Sequence, residues 1–235
     1  MRESDVITIK IDGRPIATSA GKSVLQVAKE NGIRIPALCH LDGLSDVGVC
    51  RLCLVEIGGK LVTSCTTPVA DGMEVRTDTE EIRQHRRTVL ELIFAEGNHV
   101  CAFCPSNGNC ELQDLACELG MEEVRVPFSY PRNRIDATHP RFLIDRDRCV
   151  LCGRCVRVCA EVEGAHTWDF AERGRSVRVI TDLDVDWGDA ESCTDCGKCV
   201  EVCPTGAIIR KGAATAEMEK EPELVADLLE RRGDV

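Results

Sequence analysis

The chain has 235 residues, 16 of them cysteines, and its net charge of −11 and aromatic content of 3% argue against a nucleic-acid-binding protein. No stretch approaches the roughly 18 apolar residues of a membrane span, and residues 1–10 are too charged for a secretion signal. We therefore expect a cytoplasmic protein whose closely spaced cysteines bind metal instead of forming disulfides.

The first predicted unit covers residues 1–78 and has the β-grasp arrangement, a small sheet around one helix. Alternating apolar side chains before Asp12-Gly13 and a short strand after it predict a β-hairpin. Ser23 with Gln26 three residues later forms the capping box of a helix that ends near Gly32. Three further strands are predicted at 54–57, 60–64 and 74–77.

Four cysteines of this unit have the spacing C-x10-C-x2-C-x11-C, namely Cys39, Cys50, Cys53 and Cys65. Four thiolates suit a [2Fe–2S] cluster, although the spacing does not say which pair binds which iron. Gly48 would let backbone N–H groups approach the inorganic sulfides. A zinc site is the alternative. The spacing resembles that of the N-terminal ferredoxin-like domain in the large iron–sulfur subunit of complex I and in related hydrogenases.

The second predicted unit, residues 79–138, is helical. Apolar residues recur at helical spacing from Ile82 to Phe94, and Asp78 with Glu81 is the expected cap. The basic residues of this helix are expected to form a solvated face, which would contain Arg83, Arg86 and Arg87.

A group of metal-ligand residues follows this helix with the pattern H-x-C-x2-C-x5-C, formed by His99, Cys101, Cys104 and Cys110. One imidazole and three thiolates suffice for the four iron corners of a [4Fe–4S] cluster. A neutral imidazole removes one negative charge, so this cluster should have a higher potential than one with four cysteines.

Cys117 is the alternative to His99 as the fourth ligand. It follows Cys110 by seven residues on a helix predicted to begin near Glu111, so both side chains would face the same side. We expect Cys117 to be a buried, unligated thiol, because the related hydrogenase and complex I domains have one histidine and three cysteines here.

The third predicted unit, residues 139–212, contains an internal repeat. A proline-containing stretch, residues 126–140, predicts an irregular crossing before it, and residues 142–144 predict a short strand. The pattern C-x2-C-x2-C-x3-C then occurs twice, first as Cys149, Cys152, Cys155 and Cys159 and again as Cys193, Cys196, Cys199 and Cys203.

The repeat resembles bacterial two-cluster ferredoxins, in which the fourth cysteine of each motif binds the other cluster. The resemblance implies one [4Fe–4S] cluster on Cys149, Cys152, Cys155 and Cys203. It implies a second on Cys193, Cys196, Cys199 and Cys159. The exchange holds two clusters close together, as electron tunnelling requires. The chain differs from simple ferredoxins by a long insert, residues 164–189, whose Trp168 and Trp187 are expected to form local core.

One [2Fe–2S] and three [4Fe–4S] clusters need four ligands each, and His99 with all the cysteines except Cys117 supplies them. A disulfide-bonded protein or a zinc protein would have no reason to divide its ligands into four such sets. A free ferredoxin carrier would need only a single small domain.

The tail, residues 213–235, is predicted to contain a short helix with an apolar stripe. The stripe either packs on its own domain or docks on a partner, and it comprises Leu224, Val225, Leu228 and Leu229.

From about residue 7 to 212 the chain resembles the small iron–sulfur subunit of the Hox-type diaphorase, the electron-transfer half of bidirectional NAD-linked [NiFe] hydrogenases. The stretches 97–101, 109–114 and 163–166 carry the similarity. The resemblance implies a non-catalytic electron-transfer subunit in a hetero-oligomer. Its partners would be an FMN-containing subunit that reacts with NAD(H) and the small subunit of a [NiFe] hydrogenase.

FMN and NAD(H) are expected on the partner, because no glycine-rich phosphate-binding fingerprint follows a predicted strand in this chain. The alternative is an equivalent electron-transfer subunit in an NAD-linked formate dehydrogenase, an iron-only hydrogenase or a complex I-like enzyme.

Overall fold

The computed structural model describes the backbone of residues 6–213 and 220–232 and the side chains of these ranges up to residue 229. Residues 1–5, 214–219 and 233–235 lie outside it, so the predicted tail is described only in part. The fold is of the predicted α+β class, with one five-stranded sheet and two two-stranded sheets in the described ranges. None of the described helices is long and apolar enough to cross a membrane.

The five-stranded sheet has the order β2-β1-β5-β3-β4. The strand β1 pairs antiparallel with β2 and parallel with β5, while β3 pairs antiparallel with both β4 and β5. Both predicted hairpins are present. The strands are β1 (Val6–Ile11), β2 (Arg14–Ser19), β3 (Leu54–Ile57), β4 (Lys60–Thr63) and β5 (Glu74–Arg76).

The helix α1 (Val24–Glu30) packs its apolar face on this sheet. Its capping box forms as predicted: the Ser23 hydroxyl accepts from the Gln26 amide at 3.2 Å, and the Gln26 side chain accepts from the Ser23 amide at 2.9 Å. Because Val24 and Val27 are fully buried against the strands, the sheet and helix share one core.

The helix α2 (Glu80–Glu96) ends at Gly97 as predicted, but its cap differs from the prediction. The Thr79 hydroxyl accepts from the Ile82 amide at 3.2 Å and so caps the helix. The expected cap, Asp78, pairs instead with Arg83 at 2.8 Å. Two residues that can cap a helix, Asp78 and Thr79, are adjacent in the sequence, and the helix starts one residue later than the predicted Asp78 cap implied.

Arg86 of α2 corrects the prediction of a solvated basic face. Its guanidinium is buried and donates to the backbone oxygens of Leu52 at 3.0 Å and Leu54 at 2.7 Å. These carbonyls lie at the start of β3, so Arg86 fastens α2 to the sheet beside Cys53.

Beyond α2 the chain is built from short elements. The helix α3 (Glu111–Glu118) begins directly after Cys110, which has an extended backbone and is its N-cap residue. No helix or strand occurs between α3 and residue 142, in agreement with the predicted irregular crossing. Single 3-10 turns cover Ser64–Thr66, Cys101–Phe103, Arg146–Arg148, Gly174–Ser176 and Trp187–Asp189.

The two cysteine motifs have matching backbones. Each begins a short helix after a glycine with positive φ, 70° at Gly153 and 77° at Gly197. The helices are α4 (Arg154–Arg157), which continues as a π-helical turn (Val158–Glu163), and α5 (Lys198–Glu201). Strand β6 (Phe142–Ile144) precedes the first motif and pairs antiparallel with a strand that follows the second, Ile208–Arg210.

The insert between the motifs forms its own hairpin, β7 (Trp168–Ala171) and β8 (Arg178–Thr181), so the strand after the second motif is β9 (Ile208–Arg210). The two tryptophans are core residues, as predicted. Trp168 and Trp187 meet edge to face with ring centroids 4.7 Å apart, and both are at most 3% exposed.

The tail helix α6 (Leu224–Arg232) resolves the two alternatives for its apolar stripe. Val225 is fully buried in the core of the repeat, and Leu228 and Leu229 pack against the same core. A Cβ atom at Gly43 would lie 2.6 Å from Leu229, so the glycine lets this loop approach the helix. The stripe therefore packs on its own chain, and only Leu224 of the four residues is exposed.

We predict that Val225→Asp releases α6 in the isolated chain. Losing about 2 kcal/mol of valine burial would open the helix roughly 30-fold more often. Limited proteolysis in the tail measures this opening. Leu224→Asp is the matched control because Leu224 is exposed, and equal cleavage of the two variants would contradict the packing of α6 on its own chain.

Candidate metal centres

The first predicted quartet comes together at the edge of the five-stranded sheet. Cys39, Cys50, Cys53 and Cys65 are all buried. The sulfur atoms of Cys53 and Cys65 are 3.4 Å apart. The thiols of Cys50 and Cys65 lower the pKa of Cys39, since they donate hydrogen bonds to its thiolate.

These contacts pair residues that are distant in sequence. Cys65 contacts both Cys53 and Cys39, and Cys39 also contacts Cys50, so Cys65 and Cys39 connect the four thiols of the quartet. Gly48, which was expected to let the backbone approach, has φ of 63°, and a Cβ there would lie 3.2 Å from Thr66. The loop that presents Cys50 thus depends on a left-handed glycine.

The second predicted quartet lines a small cavity between α3 and the repeat. The Nε2 atom of His99 is buried and has no hydrogen-bond partner in the structure. Burial, assisted by the nearby charge of Arg148, lowers the pKa of His99 to about 4. The imidazole is therefore neutral at physiological pH, which is the form that binds metal. The cavity is lined by His99, Cys101, Cys104 and Cys110.

Residues of the repeat complete the wall of this cavity. A Cβ at Gly206 would lie 2.7 Å from the Cys104 sulfur, so only glycine allows this approach. The Arg148 guanidinium lies 3.7 Å from the same sulfur, and Thr205 lines the cavity beside it. Arg148 therefore places a positive charge in the wall of the cavity beside Cys104.

Cys117 is exposed, so the prediction that it is buried was wrong. The seven-residue spacing from Cys110 does not place both on one helix face, because Cys110 lies before the helix in extended conformation. The buried face of α3 is formed instead by Leu112, Leu115 and Ala116. Cys117 lies near Cys101, whose pKa is raised mainly by burial and slightly by the Cys104 and Cys117 thiols. It does not line the cavity.

The repeat encloses two further cavities, and each takes three cysteines from one motif and the fourth from the other. One small cavity lies among Cys149, Cys152, Cys155 and Cys203. The other lies among Cys159, Cys193, Cys196 and Cys199. This is the grouping that the ferredoxin resemblance implied.

The chemistry of these cavities fits metal-bound thiolates. Burial raises the pKa of Cys149 to about 12 and that of Cys152 to about 11, so these thiols keep their protons unless a metal replaces them. Within residues 6–213 and 220–232, no three His, Cys, Asp or Glu side chains are spaced as ligands of one metal ion. The thiols of three of the four quartets instead surround cavities.

The four sites are contiguous. Thr205 lines both the His99 cavity and the Cys203 cavity. Cys152 belongs to the same apolar core as Cys39 and Cys50. The two cavities of the repeat are joined through α4 and its π-helical turn, which contain Cys155 and Cys159, and through α5 and the residues directly after it, which contain Cys199 and Cys203.

Sequence reasoning did not identify the residues that join the sites, among them Arg148, Thr205 and Gly206. Each lies close to a cysteine motif of the repeat but lines the His99 cavity, whose ligand residues belong to the second unit. The available signal was the Thr-Gly pair after Cys203-Pro204, where a glycine permits close approach of two backbones.

Three family models match the chain in the order of the predicted units. Residues 4–80 match a 2Fe-2S iron-sulfur cluster binding domain. Residues 86–125 match the NADH-ubiquinone oxidoreductase-G iron-sulfur binding region, and residues 148–207 match a 4Fe-4S dicluster domain. These matches support iron–sulfur clusters over the zinc alternative.

The chain is 34% identical over 179 residues to the mitochondrial NADH-ubiquinone oxidoreductase 78 kDa subunit of Candida albicans, covering 74% of this chain but 25% of that protein. A solved structure of an NAD⁺-reducing [NiFe]-hydrogenase in the H2-reduced state contains a similar chain. The two chains are 37% identical with a TM-score of 0.85, and the match covers 88% of each.

The gamma subunit of the NAD-reducing hydrogenase HoxS of Cupriavidus necator is 34% identical over 206 residues, and the match covers 87% of both chains. Similarity over nearly the full length of both proteins separates this relative from the much longer protein of Candida albicans. The chain belongs to the family of the iron–sulfur gamma subunits of NAD-reducing hydrogenases.

Proposed function

We propose that this chain is the electron-transfer subunit of a cytoplasmic NAD-linked hydrogenase, in which it holds one [2Fe–2S] and three [4Fe–4S] clusters. The first cluster would be bound by Cys39, Cys50, Cys53 and Cys65. The three others would be bound by His99, Cys101, Cys104 and Cys110, by Cys149, Cys152, Cys155 and Cys203, and by Cys193, Cys196, Cys199 and Cys159.

The residues present fit these groups. His99 Nε2 is a buried ligand atom without a hydrogen-bond partner, and burial raises the pKa of Cys149 and Cys152 so that these thiols keep their protons unless a metal replaces them. Iron–sulfur clusters, when bound, supply one-electron redox centres. The protein holds these positions apart from water with apolar walls, made of Ile144, Val179 and Ile208 around one cavity and of Trp168 and Trp187 around the other.

The observation that carries the function is the contiguity of the four sites. Thr205 forms a wall common to two cavities, and Cys152 shares a core with Cys39 and Cys50. Four metal sites that only stabilised the fold would not need to share wall residues. Adjacent redox sites allow electrons to pass through the chain, and Cys196 is exposed, so the fourth site reaches the surface where a partner can dock.

The partners follow from the family. The relative from Cupriavidus necator belongs to an NAD-reducing hydrogenase, and the similar solved structure is a [NiFe] enzyme. We infer a hetero-oligomer in which a flavoprotein subunit with FMN reacts with NAD(H) and a [NiFe] hydrogenase module exchanges electrons with its small subunit. This chain is then a non-catalytic relay between them.

We predict that NADH reduces the clusters of this chain only when the flavoprotein subunit copurifies with it. The chain itself has no assigned hydride acceptor, so NADH alone should leave its visible absorption unchanged, whereas dithionite should bleach it. Absorption spectroscopy of the isolated chain and of the copurified complex makes this comparison. Bleaching of the isolated chain by NADH would contradict the relay function.

We predict that Cys159→Ser damages the cluster held by Cys193, Cys196 and Cys199, because Cys159 lines their cavity. EPR of the reduced chain should show loss of that signal alone. Cys203→Ser is the reciprocal control and should affect the cluster of the first motif. Loss of the signal from each residue's own motif would show that the motifs do not exchange ligands.

We predict that His99→Cys keeps a cluster in its cavity but lowers its potential by roughly 100 mV, because thiolate adds a negative charge. His99→Ala should leave a labile cluster with an open corner. EPR-monitored redox titration measures both changes.

Cys117→Ser is the matched control for these variants and should be nearly silent, since Cys117 is exposed and does not line the cavity. If Cys117→Ser lost the cluster and His99→Ala kept it unchanged, the fourth ligand would be Cys117 and not His99.

A further inference from the structure

Two arginine side chains are buried on α4, directly after Cys152. Arg154 is 2% exposed and Arg157 is 7% exposed. A buried guanidinium is costly unless its charge is compensated and its N–H groups are bonded. The two arginines meet this requirement in different ways.

Arg154 has a carboxylate partner. Its guanidinium donates to both oxygens of Glu111, at 2.5 and 2.8 Å, and to the carbonyl oxygen of His40 at 2.8 Å. The pair with Glu111 is neutral overall. Arg154 therefore joins three segments of the chain without adding net charge to the interior.

Arg157 has no ion pair with any described carboxylate, and its bonds go to backbone oxygens. It donates to the carbonyl of Cys39 at 2.6 Å and to that of Cys152 at 3.2 Å from the same nitrogen. It also donates to the carbonyls of Gly153, at 3.3 Å, and Ser45. Its positive charge is thus held by carbonyl dipoles in the interior.

The two carbonyls that share one nitrogen of Arg157 belong to ligands of different sites. Cys39 is in the first quartet and Cys152 is in the first quartet of the repeat. A second residue of the repeat also holds Ser45 in place, because the Glu161 carboxylate accepts from the Ser45 amide at 2.8 Å. Arg157 therefore lies at the junction between the proposed [2Fe–2S] site and its neighbouring [4Fe–4S] site.

A buried positive charge favours the reduced, more negative form of any redox group near it, and the effect is stronger in the interior than in water. Solvent does not screen Arg157, and no described carboxylate pairs with it. The charge acts on both sites because both ligand backbones bond to it.

We propose that the buried positive charge of Arg157 raises the potentials of the [2Fe–2S] cluster and the adjacent [4Fe–4S] cluster together. The proposal rests on the proposed function, since it requires both clusters. A purely structural tie would need the hydrogen bonds of Arg157 but not its charge.

The test is an EPR-monitored redox titration of the cluster-loaded full chain with Arg157→Gln and Arg157→Lys. Lysine keeps the charge and glutamine does not. We expect Arg157→Gln to shift both reduction equilibria at least about tenfold toward the oxidised forms, or 59 mV for a one-electron couple. Arg157→Lys should shift them by less than half as much, and the other two clusters should not move.

Arg14→Gln is the matched control, because it removes the same charge from an exposed position on β2 and should shift no potential. Equal shifts for Arg157→Gln and Arg157→Lys, a shift of one cluster only, or no shift with both clusters present would overturn the proposal. Loss of either cluster from both Arg157→Gln and Arg157→Met would assign a structural role and also overturn it. A wild-type chain without these clusters would refute the proposed function instead.

Discussion

Three of the four proposed ligand sets of this protein combine cysteines that are distant in the sequence, while His99, Cys101, Cys104 and Cys110 lie in one short segment whose cavity is completed by residues of the repeat. Cys203 closes the cavity of the first motif, and Cys159 closes that of the second. Cys65 meets Cys53 from the far side of the β3–β4 hairpin. The short helices and two-stranded sheets are too small to bury such a cavity within one segment. The fold therefore brings distant segments together so that their cysteines meet.

The same requirement explains why the units are not independent of one another. The wall of the His99 cavity includes Arg148, Thr205 and Gly206, all from the repeat. Arg157 in turn bonds the carbonyl of Cys39 in the first unit. Contacts that bury each site also bring it next to its neighbour, so the packing that protects the sites from water is the packing that makes a relay.

Local patterns predicted the local structure well. The capping box of Ser23, both hairpins of the sheet and the end of α2 at Gly97 follow from side chains within a few residues of each other. The ferredoxin resemblance implied two crossed quartets in the repeat, and the structure places the same cysteines around each cavity, while their binding of clusters stays a prediction.

The predictions that failed concern the direction in which a side chain faces. Cys117 was expected to be a buried thiol on the basis of the related domains, yet it is exposed, because Leu112, Leu115 and Ala116 form the buried face of α3. Arg86 and Arg157 are ordinary surface residues by composition, yet both are buried where backbone carbonyls from distant segments converge. Such carbonyls leave no sequence signal, because every residue has one.

The central claim is that four iron–sulfur clusters occupy four adjacent sites of this chain, and iron anomalous diffraction from a crystal of the purified protein tests it most directly. The account predicts iron density at all four quartets, with Cys159 and Cys203 each bonded in the cavity of the opposite motif. Zinc density at these positions, or cysteines bonded within their own motif, would contradict it.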